Sequence, residues 1–276
     1  MPNLLLTKFT PRSIKPNRII TVIGKRGSGK TVLLRDLMYQ LRDRFDLVLA
    51  LTGTEASADA FRQYIPECFI FDVEIKKIAK AVEIAKVLRK HGNTREILII
   101  MDDFMDKKSI LDADVFRDIG YNGRNFNFTL IISLQYCMEM KPFLRSQIDY
   151  CFVFFEPNRS NRKKLWEYFF GIFDDFDSFT HTLSKCTRNF ECMVLDTTQN
   201  TGDVQDQLHY YKSDINVSQL QFRTCKSIFW YLNDLYKNSS YSNVNNLFDD
   251  LISRTEDNKK TNTKDSRQDR LVIQKI

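Results

Sequence analysis

Arg18-Ile19-Ile20-Thr21-Val22-Ile23 is an apolar, β-branched run that stops at glycine, and Gly24-Lys25-Arg26-Gly27-Ser28-Gly29-Lys30-Thr31 follows it directly. The first part predicts a short buried strand, because branched side chains pack well on a pleated surface. The second fits the pattern G-x-x-x-x-G-K-[ST], whose glycines let main-chain N–H groups curl around phosphate oxygens that a side chain would hold off. Beyond it, Val32, Leu33, Leu37 and Leu41 recur at helical spacing and predict a helix over 29–44, with its positive end on the loop. Strand, glycine turn and helix in that order make a phosphate cradle. Gly24, Lys25, Arg26, Gly27, Ser28, Gly29, Lys30 and Thr31 are therefore the expected nucleotide-binding set, with ATP and Mg²⁺ as the expected cofactors. Lys30 is expected to reach the β- and γ-phosphates as a point charge, and the Thr31 hydroxyl to ligate Mg²⁺.

Outward from that stretch, strands are expected at 47–51, 68–71, 97–101, 128–133, 150–155, 191–195 and 208–212, each apolar enough to be buried. Helices are expected at 73–91, 113–120, 162–170, 175–184 and 222–236. Alternation of the two predicts an α/β fold with a mostly parallel sheet and helices on both faces. Four parts are expected: an N-terminal segment 1–17, a core 18–213, a helical segment 214–252 and a mobile polar tail 253–276. From Arg254 to Lys275 the tail carries seven basic and four acidic residues.

A phosphate cradle binds but does not hydrolyse. The apolar run at 97–101 ends in Asp102-Asp103, which supplies an anion for the metal shell and a second carboxylate to orient an attacking water. Asp102 is the candidate metal ligand, acting through water; Asp103 is the candidate water-positioner or, alternatively, a turn or helix-cap residue. Gln135 closes the run Ile131-Ile132-Ser133-Leu134 and is the candidate γ-phosphate sensor, or an ordinary polar strand end. Arg124 and Arg145 are candidates for neutralising transition-state charge, either of which could instead be a surface ion-pair residue.

Composition narrows the classes. The 276 residues carry a net charge of +6, which permits contact with nucleic acid without requiring it. No apolar run approaches the roughly 20 residues of a membrane span, and the first residues lack the pattern of a secretory signal. Six cysteines without a C-x-x-C pair read as buried thiols, and three dispersed histidines suggest no metal cluster.

Taken together, residues 24–31, Asp102-Asp103, Gly123-Arg124 before a strand ending Ser133-Leu134-Gln135-Tyr136, and Leu144-Arg145-Ser146-Gln147-Ile148-Asp149-Tyr150 resemble the genome-packaging ATPases of nucleocytoplasmic large DNA viruses and their relatives, in the HerA–FtsK superfamily. The resemblance implies a RecA-like P-loop NTPase core, assembled as a homo-oligomeric ring, a hexamer by likeness, that drives double-stranded DNA into a capsid. It implies capsid or portal vertex proteins as partners, the host-cell cytoplasm at assembly sites or the virion as location, Gln135 as sensor and Arg124 as a finger acting in trans. Asp103 stands where cellular translocases usually carry glutamate. DNA contacts are expected from Lys107-Lys108 and from Arg159, Arg162, Lys163 and Lys164, each of which also reads as a solvated charged face. Competing readings are a helicase or secretion-type ATPase with the same core, a P-loop small-molecule kinase, whose arginine-rich lid is missing here, and a GTP-dependent switch, whose N-K-x-D motif is missing.

Overall fold

A computed structural model describes residues 4–92, 95–104, 110–199, 201 and 203–238. In chain order the strands are β1 Thr7–Lys8, β2 Ile19–Ile23, β3 Leu47–Thr52, β4 Ile70–Asp72, β5 Ile97–Asp102, β6 Phe128–Leu134, β7 Tyr150–Val153, β8 Glu191–Asp196 and β9 Leu208–Lys212. The α-helices are α1 Lys30–Leu41, α2 Glu55–Arg62, α3 Ile75–Lys90, α4 Asp114–Asn122, α5 Pro142–Arg145, α6 Arg159–Phe169, α7 Phe176–Cys186, α8 Val204–Gln207 and α9 Ser227–Asn238. Two units divide the chain, 1–231 and 232–276, the second described only to residue 238. The polar tail therefore lies outside the described residues, as do Lys107 and Lys108.

Among the described residues, one sheet orders its strands β1-β9-β8-β7-β2-β6-β5-β3-β4. Every residue of β2, β3, β5 and β6 is buried, as a sheet covered on both faces requires. β2 lies between β6 and β7, neither consecutive with it in sequence, so the loop that follows β2 opens into the crevice where the chain departs in both directions. All pairings are parallel except those of β8, which runs antiparallel to β7 and to β9. A wholly alternating chain would have kept β8 parallel. Two helices, α6 and α7, separate it from β7, and a second helical traverse returns the chain to the edge that it had left.

Several boundaries differ from the sequence expectation for local reasons. Residues 7–8, read as part of an N-terminal segment, form the edge strand against β9, with Phe9 packed edge-on to Phe152 at 5.5 Å. The expected strand at 68–71 begins as a 3₁₀ turn, Glu67–Phe69, after Pro66. The last helix begins at Ser227 instead of 222, because the Thr224 and Lys226 amides donate to the Tyr64 and Asp46 carbonyls, and the Phe222 ring stacks on Tyr64 at 4.2 Å. Helix α2 was not anticipated. Its apolar contacts are few, Ala58 and Phe61, and its start is marked by Thr54, whose hydroxyl accepts from the Ser57 amide.

Helix α1 buries Leu33, Leu34, Leu37 and Met38, and also Asp36, which is fully buried. A buried carboxylate needs donors. Asp36 accepts the Tyr211 hydroxyl at 2.6 Å from β9 and the Asp214 amide at 3.1 Å from the turn after it. Burial pushes the Asp36 carboxyl above its ordinary value, with these hydrogen bonds pulling the other way, and burial likewise pushes the Tyr211 hydroxyl up. The pair thus fastens residues 211–215 to the helix that carries the glycine loop.

Replacing Asp36 with Ala strands the Tyr211 and Asp214 donors, at about 1–3 kcal/mol each, and should cost about 2–6 kcal/mol in a urea titration. Because the folded value lies above the unfolded one, the contribution is fully present below the unfolded value and fades as pH rises through the folded one. The wild type should accordingly lose ground to Asp36→Asn as pH rises from acid toward neutral.

Candidate functional site

The 24–31 loop leaves β2 and enters α1 through Gly29, whose φ of +105° puts it in a region that side chains disfavour. Without that turn the first amides of α1 would not face outward. Lys30 folds back over the loop, its Nζ donating to the Gly24 carbonyl at 2.6 Å and the Lys25 carbonyl at 3.1 Å. Its ammonium is thereby held where a bound anion would meet it. Ser28 Oγ is buried with no hydrogen-bond partner and lies on the Gly24 side of the loop, where a Cβ on Gly24 would sit 2.5 Å from it.

The parallel register carries Asp102 to the same edge. Ile23 pairs with Leu134 across β2 and β6, Met101 with Ile132 across β5 and β6, and Thr52 with Asp102 across β3 and β5. Asp102 is buried and its Oδ2 accepts the Ser57 hydroxyl at 2.9 Å. Asp103 turns outward with φ of +53° and accepts the Thr54 hydroxyl at 2.9 Å. Gly53 lies against this turn: a Cβ there would sit 1.9 Å from the Asp103 carbonyl oxygen.

These parts line one cleft of about 880 Å³. Its floor is Gly27, Gly29, Lys30 and Thr31; Asp102, Asp103 and Gln135 face it from β5 and β6, and Thr54 and Ser57 from the start of α2. Of the sequence candidates, Arg26 also reaches the cleft, while Gly24 and Lys25 stand behind Lys30 as its acceptors. Arg124 and Arg145 are not among the lining residues. Arg124 sits ahead of β6, at the opposite sheet edge, where it donates to Asp149 at 2.7 Å. Arg145 stacks on the Tyr168 ring at 3.8 Å from its centroid.

Sequence reasoning missed the far wall. Arg35 belongs to α1, Lys212 and Ser213 to the end of β9 and its turn, and Asn189 and Phe190 to the turn before β8. Asn189 and Phe190 both have positive φ, +52° and +63°, and Phe190 is 68% exposed. An exposed phenylalanine held in a left-handed turn beside a phosphate-type loop is the kind of strain that sites retain. Nothing in the local sequence announces it, except that Asn189 is a residue type that tolerates that conformation.

A divalent cation suits the donor set. The Thr31 hydroxyl and the Asp102 and Asp103 carboxylates are hard oxygen donors within one cleft. No cage of three His, Cys, Asp or Glu side chains occurs among the described residues, and Mg²⁺ arriving with a phosphate needs only one or two protein oxygens. All six cysteines are buried, in keeping with structural thiols. No described helix is long and apolar enough to cross a membrane.

Comparison with known proteins then adds kinship. A family model described as Poxvirus A32 protein matches residues 7–165, more than half of the 276-residue chain. The uncharacterized protein 088R of Invertebrate iridescent virus 3 is 30% identical over 211 residues, 75% of this chain and 81% of that one. Among solved structures, B204, the DNA-packaging ATPase from Sulfolobus Turreted Icosahedral Virus, superposes with a TM-score of 0.53 at 15% identity, over 73% of this chain and 100% of its own. The genome packaging NTPase B204 from Sulfolobus turreted icosahedral virus 2, in complex with ATP-gammaS, gives 0.52 at 15% identity, over 72% and 98%. At that identity the likeness is one of fold, and it bears out the α/β P-loop architecture read from the sequence.

The tightness at Gly53 is open to a direct check. Gly53→Ala must push the Asp103 main chain aside and should lower stability by at least about 1–3 kcal/mol, the range for overpacking. Gly171→Ala, whose Cβ meets nothing within 4 Å, is the control and should be near neutral in the same thermal melt. Equal melting temperatures for the two variants would show that the contact is slack.

Proposed function

The chain belongs to the Poxvirus A32 protein family, and from that membership together with the geometry of its cleft we propose that it is an ATPase that drives double-stranded DNA into a viral capsid. The observation that carries this reading is the convergence of Lys30, Thr31, Asp102, Asp103 and Gln135 on one cleft behind a glycine loop. The B204 structures that share the fold are described as a DNA-packaging ATPase and as a genome packaging NTPase holding ATP-gammaS. A net charge of +6 suits a protein that meets phosphate backbones without reading sequence.

In this reading the loop amides and Lys30 would hold the triphosphate, and Thr31 and Asp102 would hold Mg²⁺. When bound, that ion offsets the charge on the phosphate oxygens. Asp103 orients the water in line with the γ-phosphate, and Gln135, at the end of β6, senses whether that phosphate is present. Arg124 serves a neighbouring subunit's cleft in a homo-oligomeric ring, a hexamer in its simplest form, because it lies at the sheet edge away from its own. Arg145 is the alternative finger. DNA is gripped by ring-lining basic residues, Lys163 of α6 foremost, since Arg162 and Lys164 already bond to the Glu156 carbonyl and Glu167. Residues 18–213, with β1 of the segment 1–17 added to the same sheet, form the RecA-like core of the HerA–FtsK kind, 214–252 and 253–276 follow it, and the capsid or portal vertex is its docking partner at cytoplasmic assembly sites.

Purified protein should hydrolyse ATP, and duplex DNA should raise the rate more at low salt than at high. Lys30→Ala should abolish turnover, by on the order of 100-fold or more, and Asp103→Asn should keep nucleotide binding while losing a similar factor in kcat. A hydrolysis rate that ignores DNA at every salt concentration would overturn the translocase reading, and strand separation would redirect it to a helicase.

The trans role of Arg124 has its own assay. Mixed Lys30→Ala and Arg124→Ala subunits should hydrolyse more ATP than the sum of the two alone, since each supplies what the other lacks. A rate equal to the sum would remove Arg124 from the neighbour's site.

A further inference from the structure

We propose that the start of α2 is a clamp for both acidic residues of the cleft, in which Thr54 positions Asp103 and Ser57 positions Asp102; the inference rests on the ATPase reading above. The Thr54 hydroxyl has one hydrogen to donate and two lone pairs, and both capacities are engaged. It donates to Asp103 Oδ2 at 2.9 Å and accepts the Ser57 amide at 3.3 Å. Ser57 in turn donates its own hydroxyl to Asp102 Oδ2 at 2.9 Å. One helix start therefore holds two carboxylates on adjacent residues of a different strand, through a chain of hydrogen bonds with no free rotor.

Three further features fix the clamp in place. The Gly53 amide donates to the Asp102 carbonyl at 3.1 Å, extending the β3–β5 pairing to the last residue before Thr54. Gly53 carries no side chain where the Asp103 carbonyl passes, so the two turns lie closer than any other residue would permit. Thr54 caps α2, which puts the positive end of that helix beside both carboxylates. Each hydrogen bond engages Oδ2 of its acid. Asp103, short for a water-positioner and held at φ of +53°, depends on such an external hold more than a residue in relaxed backbone would.

Thr54 and Ser57 are positioning residues, so the test separates position from stability. Thr54→Ser keeps donor and cap and should retain wild-type kcat. Thr54→Asp keeps a good cap but has no proton to give and sets a like charge beside Asp103. It should fold, bind a fluorescent ATP analogue within about twofold of wild type, and lose at least about tenfold in kcat with KM little changed. Thr54→Val, isosteric without the hydroxyl, should show the same loss of kcat beside a lower melting temperature. Wild-type kcat in Thr54→Asp or Thr54→Val, against a wild type that hydrolyses ATP, would overturn the clamp alone. A wild type that binds the analogue and never hydrolyses ATP would overturn the ATPase reading, and the clamp's role with it.

Discussion

Parallel hydrogen bonding among β2, β6 and β5 is the constraint from which the cleft follows. Parallel strands present all their carboxyl ends at one edge, so a glycine loop after β2, an amide after β6 and an acid pair at the end of β5 meet there, the Gly24 amide donating to the Leu134 carbonyl at 3.1 Å. A slip of one residue in β5 would turn Asp102 from the cleft to the other face of the sheet. The unbroken apolar content of β5 and β6 does not by itself forbid such a slip, because neither face is polar. What holds the register is the polar ends: the Ser57–Asp102 and Thr54–Asp103 hydrogen bonds can form in one alignment only.

A second fastening acts across the cleft. Asp36 is buried on the helix that begins at the glycine loop, and it is bonded to Tyr211 and to the turn at Asp214. Burying a carboxylate to hold two segments together is costly compared with an apolar contact. The return is directional: Lys212, Ser213 and Ile215 line the far wall of the cleft at a fixed distance from α1. Any change in the 24–31 loop that rotates α1 must carry that wall with it.

Much of this was legible in the sequence, and the reason is locality. The glycine loop, Asp102-Asp103 and Gln135 each sit at the end of an apolar run, where strand, turn and chemistry are written within a few residues. Elements that depend on distant partners were not. Helix α2 is only eight residues long, with Ala58 and Phe61 as its buried apolar side chains, and is stabilised by its cap and by Arg62, which bridges Glu55, Asp59 and Glu67. The reversed β8 depends on how α6 and α7 pair, which spacing does not encode. The left-handed Phe190 is imposed by the turn into that reversed strand. Helix α2 and the turn at Asn189–Phe190 line the cleft, whereas the edge strand at Thr7–Lys8 and the late start of the last helix at Ser227 are set by packing elsewhere in the sheet and its cover.

Arg124 illustrates how geometry at the quiet edge of the sheet bears on a role in a neighbour's cleft. Asp149 is buried and accepts the Ile19 amide at 2.9 Å and Arg124 at 2.7 Å, with the Arg18 guanidinium beside it as an ion pair at 3.6 Å. The Arg124 side chain is 67% exposed, so its pair contributes on the order of 1 kcal/mol or less. Arg18 is far less exposed, at 18%, and pairs with Asp149 independently of Arg124. Withdrawing Arg124 therefore leaves no uncompensated buried charge, the circumstance that makes breaking an ion pair expensive. The proposed role in a neighbour's cleft would require Arg124 to leave this pair, which is lightly held, whereas Arg145, stacked on the Tyr168 ring and bonded to the Met140 carbonyl, is held by two contacts that would both have to break.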